Sequence, residues 1–238
     1  FDYAGTATAN EAPRLSLRYC DESVRIAGQL PDMGILTYAL RRRADLLARI
    51  GQSKRAADDI AAAFAAANRE PDSARRKILI TDATLARARI KLRSDPAAAA
   101  TDLRRVVEEY TAAKYAKGLS SAYLYLAQSR VATGAVDSAR SAFDSATALM
   151  QRQRASIAAY TERATFLDGA RSVIDQTVAF RADHDAGSAF EYFEGNRARV
   201  LLEQLANARG QAAEQRPVLA ALRGRLTKND IASEAIIG

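Results

Sequence analysis

The chain has 238 residues, 48% of them hydrophobic, with 12 Gly, 5 Pro and no Trp, which is enough for a sizeable core, two domains or an elongated repeat array and favours helix over strand. A single cysteine, Cys20, excludes an internal disulfide, and a single histidine, His184, leaves no Cys/His cluster with metal-ligand spacing. The net charge of +7 and pI of about 9.7 raise nucleic-acid binding, yet basic and acidic residues alternate as in Arg55 to Asp59 and Arg104 to Glu109, the pattern of solvated helix faces.

The longest apolar stretches, such as Ala61 to Ala67, are too short and too weakly hydrophobic to cross a bilayer, and no charged-then-apolar leader precedes a small-residue cleavage site. The chain reads as soluble, with the cytoplasm favoured as its compartment. It starts at Phe1 rather than Met, so an upstream piece is expected.

Residues 1–35 read as an N-terminal segment with an entry helix from Glu11 to Leu30, ended by Leu30-Pro31-Asp32. Next, Leu40, Ala44 and Leu47 recur at helical spacing, Gly51 breaks the run, and Ala56, Ile60 and Ala63 begin a second stripe. A less regular copy follows. It has Leu85 and Ala86 on one helix, a turn at Ser94-Asp95-Pro96, and Ala99, Leu103, Val106 and Val107 on the next, within uninterrupted helices from Asp72 to Arg93 and Pro96 to Ala116. The first pattern then returns as Tyr123, Leu126 and Ala127, Gly134, and Ala139, Phe143 and Ala146, with the Ala127-to-Ala139 spacing equal to that from Ala44 to Ala56. A fourth unit pairs a helix from Ser156 to Ala182 with one from Ser188 to Ala208 across a turn at His184-Asp185-Ala186-Gly187, with Ser188 and Glu191 as a capping box.

Helix, turn, helix units recurring at about 41 residues resemble tetratricopeptide repeats, whose usual period is about 34. The expected fold class is all-α: an α-α superhelical solenoid of tetratricopeptide-like helix pairs over 36–210, with units at about 36–70, 72–117, 118–155 and 156–210. Residues 211–238 read as a linker and the start of a following domain. In such an array the first helices of the pairs line a concave face, placing Tyr38, Arg41, Asp45, Arg49, Leu124, Tyr125, Gln128 and Val131 there as candidate contacts to a protein or peptide partner.

Chemistry is not expected of the chain itself. Cys20 and His184 lie on separate units, whereas catalytic pairing needs about 3 Å. Asp58-Asp59 and Glu108-Glu109 are adjacent acids about 100° apart on their helices, which reads as surface charge. No phosphate-loop, dinucleotide, serine-hydrolase or zinc-peptidase motif occurs. No enzyme activity, cofactor or metal site is therefore expected.

The segment Ala189-Phe190-Glu191-Tyr192-Phe193-Glu194-Gly195-Asn196-Arg197-Ala198-Arg199-Val200-Leu201-Leu202-Glu203-Gln204-Leu205 resembles the last repeat helix of bacterial TPR-CHAT proteins, where such a pattern closes the repeats before a caspase-like CHAT peptidase domain. The resemblance implies an arm that senses a partner or presents a substrate to a linked peptidase, whose catalytic His and Cys would lie beyond this chain. It also implies that Arg197, Arg199 and Glu203 form a domain junction, and helical spacing places Ala189, Phe193, Leu201 and Leu205 on an inward stripe. Two other readings stand beside it: the effector-sensing arm of a transcription regulator, and a basic nucleic-acid-binding repeat using Arg41-Arg42-Arg43 and Arg87, Arg89, Lys91 and Arg93.

Overall fold

The computed structural model describes residues 13–156 and 160–195. Among them there is no strand, and eight helices follow one another: α1 (Pro13–Ala27), α2 (Met33–Arg49), α3 (Ser53–Asn68), α4 (Ser73–Lys91), α5 (Pro96–Ala112), α6 (Ala116–Ala132), α7 (Val136–Ala155) and α8 (Tyr160–His184). A further helical stretch covers 186–195. The all-helical expectation holds. Among the described residues no helix is long and apolar enough to cross a membrane. The chain divides into two compact units, Phe1–Ile157 with Phe166–Thr177 and Ala158–Thr165 with Val178–Gly238.

Short acidic side chains cap the starts of α2, α4 and α5, whereas α3, α6 and α7 have no side-chain cap. Asp32 accepts hydrogen bonds from the backbone N–H groups of Gly34 and Ile35 at 2.7 and 3.2 Å, Asp72 from Arg75 at 2.6 Å, and Asp95 from Ala98 at 2.9 Å with Pro96 at the first helical position. Three helix ends use a left-handed residue. Gly51 (φ 81), Lys114 (φ 52) and Gly134 (φ 74) close α2, α5 and α6. In each case the following N–H donates back to the final turn at 2.8 Å: Gln52 to Leu47, Tyr115 to Tyr110, Ala135 to Arg130.

Boundaries differ from the expected ones where such signals were misjudged. The entry helix stops at Ala27 instead of running to Leu30. The helix expected to reach Ala116 ends at Ala112, because Lys114 takes the left-handed position normally given to glycine.

Alanine sets the packing distance. Ala44, Ala56, Ala127 and Ala139, the equally spaced residues of the two regular units, are all 0% exposed. The core consists of small clusters that each span consecutive helices. Leu40 of α2, Ala63 and Ala66 of α3 and Ala83 of α4 form one, Met33, Ala67 and Leu79 another, and Ala44, Ile60 and Ala86 a third. Val106 and Tyr110 of α5 pack with Ala122 of α6 in a fourth, with Ile78 and Leu85 of α4 against them. A helix pair thus leaves apolar surface that only the next helix covers.

Polar clamps join the helices. Arg43 of α2 forms a two-pronged pair with Asp59 of α3, both bonds 2.7 Å, and reaches Asp21 of α1 at 3.0 Å. Asp59 is therefore buried, against the expectation of a surface charge: it lies on the face of α3 turned to α2, and Arg43 neutralises it. Arg87 of α4 holds Asp102 of α5 in the same way, at 3.0 and 3.1 Å.

In the second unit, Phe180 and Ala189 are buried and the His184 ring lies 4.5 Å from that of Phe180. The turn expected over His184 to Gly187 is confined to Asp185, since His184 is still helical. Asp185, not Ser188, caps the next helix by accepting from the Ser188 N–H at 3.1 Å, while the Ser188 hydroxyl accepts from Arg181 at 2.5 Å. Phe193, expected on an inward stripe, is 49% exposed, and Phe190 is 68% exposed.

Candidate partner-binding face

The sequence-derived candidates on α2 are spaced three, four and four residues apart, so Tyr38, Arg41, Asp45 and Arg49 occupy one stripe. That stripe faces α4. Arg41 forms an ion pair with Asp82 at 2.6 Å and lies over the Tyr38 ring at 5.8 Å; Asp45 pairs with Arg89 at 2.8 Å. Arg89 continues to α6, donating to the Tyr125 hydroxyl at 3.3 Å with its guanidinium 5.6 Å from that ring. Gln128, one turn further on α6, donates to the side-chain carbonyl of Gln176 on α8, within the same unit.

Residues from four helices are thus wired into one surface. Asp82 and Arg89 of α4 are its centre, and the sequence reasoning missed both as face residues because the repeat over 72–117 lacks the glycine that set the register of the two regular ones. Their spacing of seven, matching that of Tyr38 and Asp45, is the signal that finds them.

Burial works against the charge on Arg89, but the Tyr125 hydroxyl and Asp45 carboxylate outweigh it and raise its pKa above the ordinary value. Beneath the face, Tyr110 is fully buried and donates its hydroxyl proton to Asp82. Burial first, and the Asp82 charge second, push that phenol far above its usual range, so it stays a neutral donor.

A cavity of about 530 Å³ opens at the C-terminal ends of α2 and α4, lined by Asp45, Arg49, Arg89, Arg93 and Gln128 among others. A smaller one of about 150 Å³ lies beside Tyr38, Arg41, Arg42, Asp82 and Arg89. Tyr38 and Val131 are exposed, at 45% and 44%. Leu124 is 4% exposed and belongs to the interior, since it lies about 100° around α6 from Tyr125. It is removed from the set available to a partner. Arg197, Arg199 and Glu203, the expected junction, lie outside the described residues.

The face offers cations, phenols, an amide and the two carboxylates of Asp45 and Asp82 at fixed spacing, a set suited to gripping an extended or helical protein segment by charge-assisted hydrogen bonds and aromatic contact. Cys20 is buried, and the Nδ1 atom of His184 is 2.7 Å from the Phe180 carbonyl oxygen of its own helix. Among the described residues no group of three or more His, Cys, Asp and Glu is placed to hold a metal ion. No protein-family model and no curated protein matches the chain.

Proposed function

We propose that the chain is a protein-interaction scaffold whose α2–α4–α6 face binds a segment of another protein. The observation that carries this is the Asp45–Arg89–Tyr125 linkage: residues from three helices far apart in sequence converge on one surface beside a cavity large enough for several side chains. From α1 to α7 successive helices pack on one another, and α2, α4 and α6 also contact in turn, which supports a tetratricopeptide-like array with the binding face on its first helices.

The context we propose is regulation of a linked CHAT peptidase, on the strength of the Ala189-to-Leu205 pattern. The arm would sense a partner or present a substrate, and the chain itself would contribute no catalytic residue. Pairing of Arg41, Arg43 and Arg89 with carboxylates favours a protein partner over nucleic acid, because those charges are already matched within the fold.

The test is site-specific photo-crosslinking in cells, with the photoreactive residue at Tyr38 or Val131 on the face and at Ala97 on exposed α5 as control. One partner captured from both face positions and not from Ala97 supports the reading. Equal capture from all three overturns it.

A further inference from the structure

A second groove lies along the opposite side of α4. The helices α2 and α4 approach each other closely, but α3 and α5 do not. Between them α4 is left as the floor of an open channel. Two cavities of about 320 and 340 Å³ lie along it and share Phe64 as a lining residue, one reaching Ser73 and the other Lys91, the two ends of α4, with the Arg87 guanidinium 5.1 Å from the Phe64 ring. At about 1.5 Å per residue the two cavities together follow about 27 Å of α4.

Its walls and floor are apolar. Ile60 and Phe64 come from α3, Ile80 and Ile90 from α4, and Val106 from α5. Thr81 and Thr84 also line it, but their hydroxyls donate to the Lys77 and Ile80 carbonyls of their own helix, at 2.8 and 2.9 Å, and ask nothing of a ligand.

The rim is cationic. Arg76, Lys77, Arg87, Lys91 and Arg105 line the two cavities. Opposing them are Glu109, paired with Lys77 at 2.6 Å, and Asp102, which faces Arg87 at 3.0 Å, Arg105 at 3.6 Å and Lys91 at 4.0 Å. One carboxylate shared among three cations leaves an excess of positive charge along the channel's edge.

We infer that this channel is a docking site for an amphipathic α-helix of a partner protein, its apolar stripe on Phe64, Ile80 and Ile90 and its flank acidic. The length matches a helix of about 18 residues, and the apolar floor with charged rim is the arrangement that helix-in-groove recognition uses. The acidic flank follows from charge complementarity with the Arg87, Lys91 and Arg105 edge. This site is distinct from the α2–α4–α6 face and does not depend on it.

Two fluorescein-labelled designed peptides of about 18 residues test it, sharing one leucine stripe and differing only in Glu or Lys flanks, with fluorescence anisotropy against the full 238-residue chain. The Glu-flanked peptide is expected to bind and the Lys-flanked one to bind about tenfold more weakly or worse. Ala61→Glu on the exposed wall and Arg105→Glu on the exposed rim should each weaken the Glu-flanked peptide about tenfold with unchanged helicity by circular dichroism. Arg49→Ala, on the other face, should leave it unchanged. Equal binding of both peptides, displacement by a short polythymidine strand, or binding untouched by Ala61→Glu would overturn the assignment. So would self-association of the chain that Ala61→Glu abolishes, since a second copy would then be the occupant.

Discussion

Arg43 holds Asp59 through two hydrogen bonds of 2.7 Å, joining α2 to α3 across a carboxylate that is 7% exposed. Removing Asp59 leaves Arg43 with the half-exposed Asp21 as its carboxylate partner, so Asp59→Ala should cost about 1 to 3 kcal/mol. The double substitution Arg43→Met/Asp59→Leu should recover most of that loss. Urea unfolding of the three proteins measures both. A double variant no more stable than Asp59→Ala would show that the pair adds net stability beyond cancelling its own desolvation.

Tyr110 gives a pH prediction with a definite sign. Its phenol is held neutral in the fold by burial and by Asp82, with a pKa raised above the ordinary value of about 10. The folded state therefore keeps a proton that the unfolded chain releases. This contribution is fully present below about pH 10 and is lost as pH rises from there towards the folded value. Unfolding free energy of the wild type should fall over that interval, and Tyr110→Phe, though less stable at neutral pH, should fall less steeply.

Two turn substitutions isolate backbone strain. A Cβ at Gly134 would meet nothing within 4 Å, but φ there is +74°. Gly134→Ala should thus destabilise by about 1 kcal/mol through conformation alone. Lys114→Gly, at φ +52°, should be neutral or stabilising by up to about 1 kcal/mol. Thermal melts of both variants would contradict this if their shifts had the same sign and size.

Gly118 tests close packing. A Cβ built there would sit 2.6 and 2.8 Å from two carbons of the fully buried Tyr110 ring. Gly118→Ala must displace that ring and disturb its bond to Asp82, so a loss of about 1 to 3 kcal/mol is expected despite better helix propensity. A variant as stable as wild type would mean the ring shifts freely.

Much of the helical order is written in local signals. Gly51 and Gly134 stop their helices, Asp95-Pro96 starts one, and the matched alanines locate where helices touch. Lys114 was illegible because nothing in its identity announces a left-handed backbone; the tertiary contact of α5 with α6 imposes it. Asp59 misleads for a related reason. Its partner is a helix away, and an adjacent pair of acids looks alike whether one is buried or neither is. On the candidate face, the α2 stripe could be read from spacing, whereas Asp82 and Arg89 needed the register of α4. At Asp185 and Ser188 two cap-forming residues compete, and only the backbone decides between them.

The alanine-lined core also limits how the gene can drift. Ala44, Ala63, Ala83, Ala99, Ala122 and Ala146 are each 0% exposed. One base change in an alanine codon yields Val, Thr, Ser, Pro, Gly, Asp or Glu. Each of these is bulkier, charged, or poorer in a helix than what it replaces. Ordinary cores shed methylenes and lose stability gradually; here nearly every first mutational step is an insertion into occupied space. Variation should therefore accumulate on the rims and turns, while the interhelical contacts stay nearly invariant among descendants of this sequence.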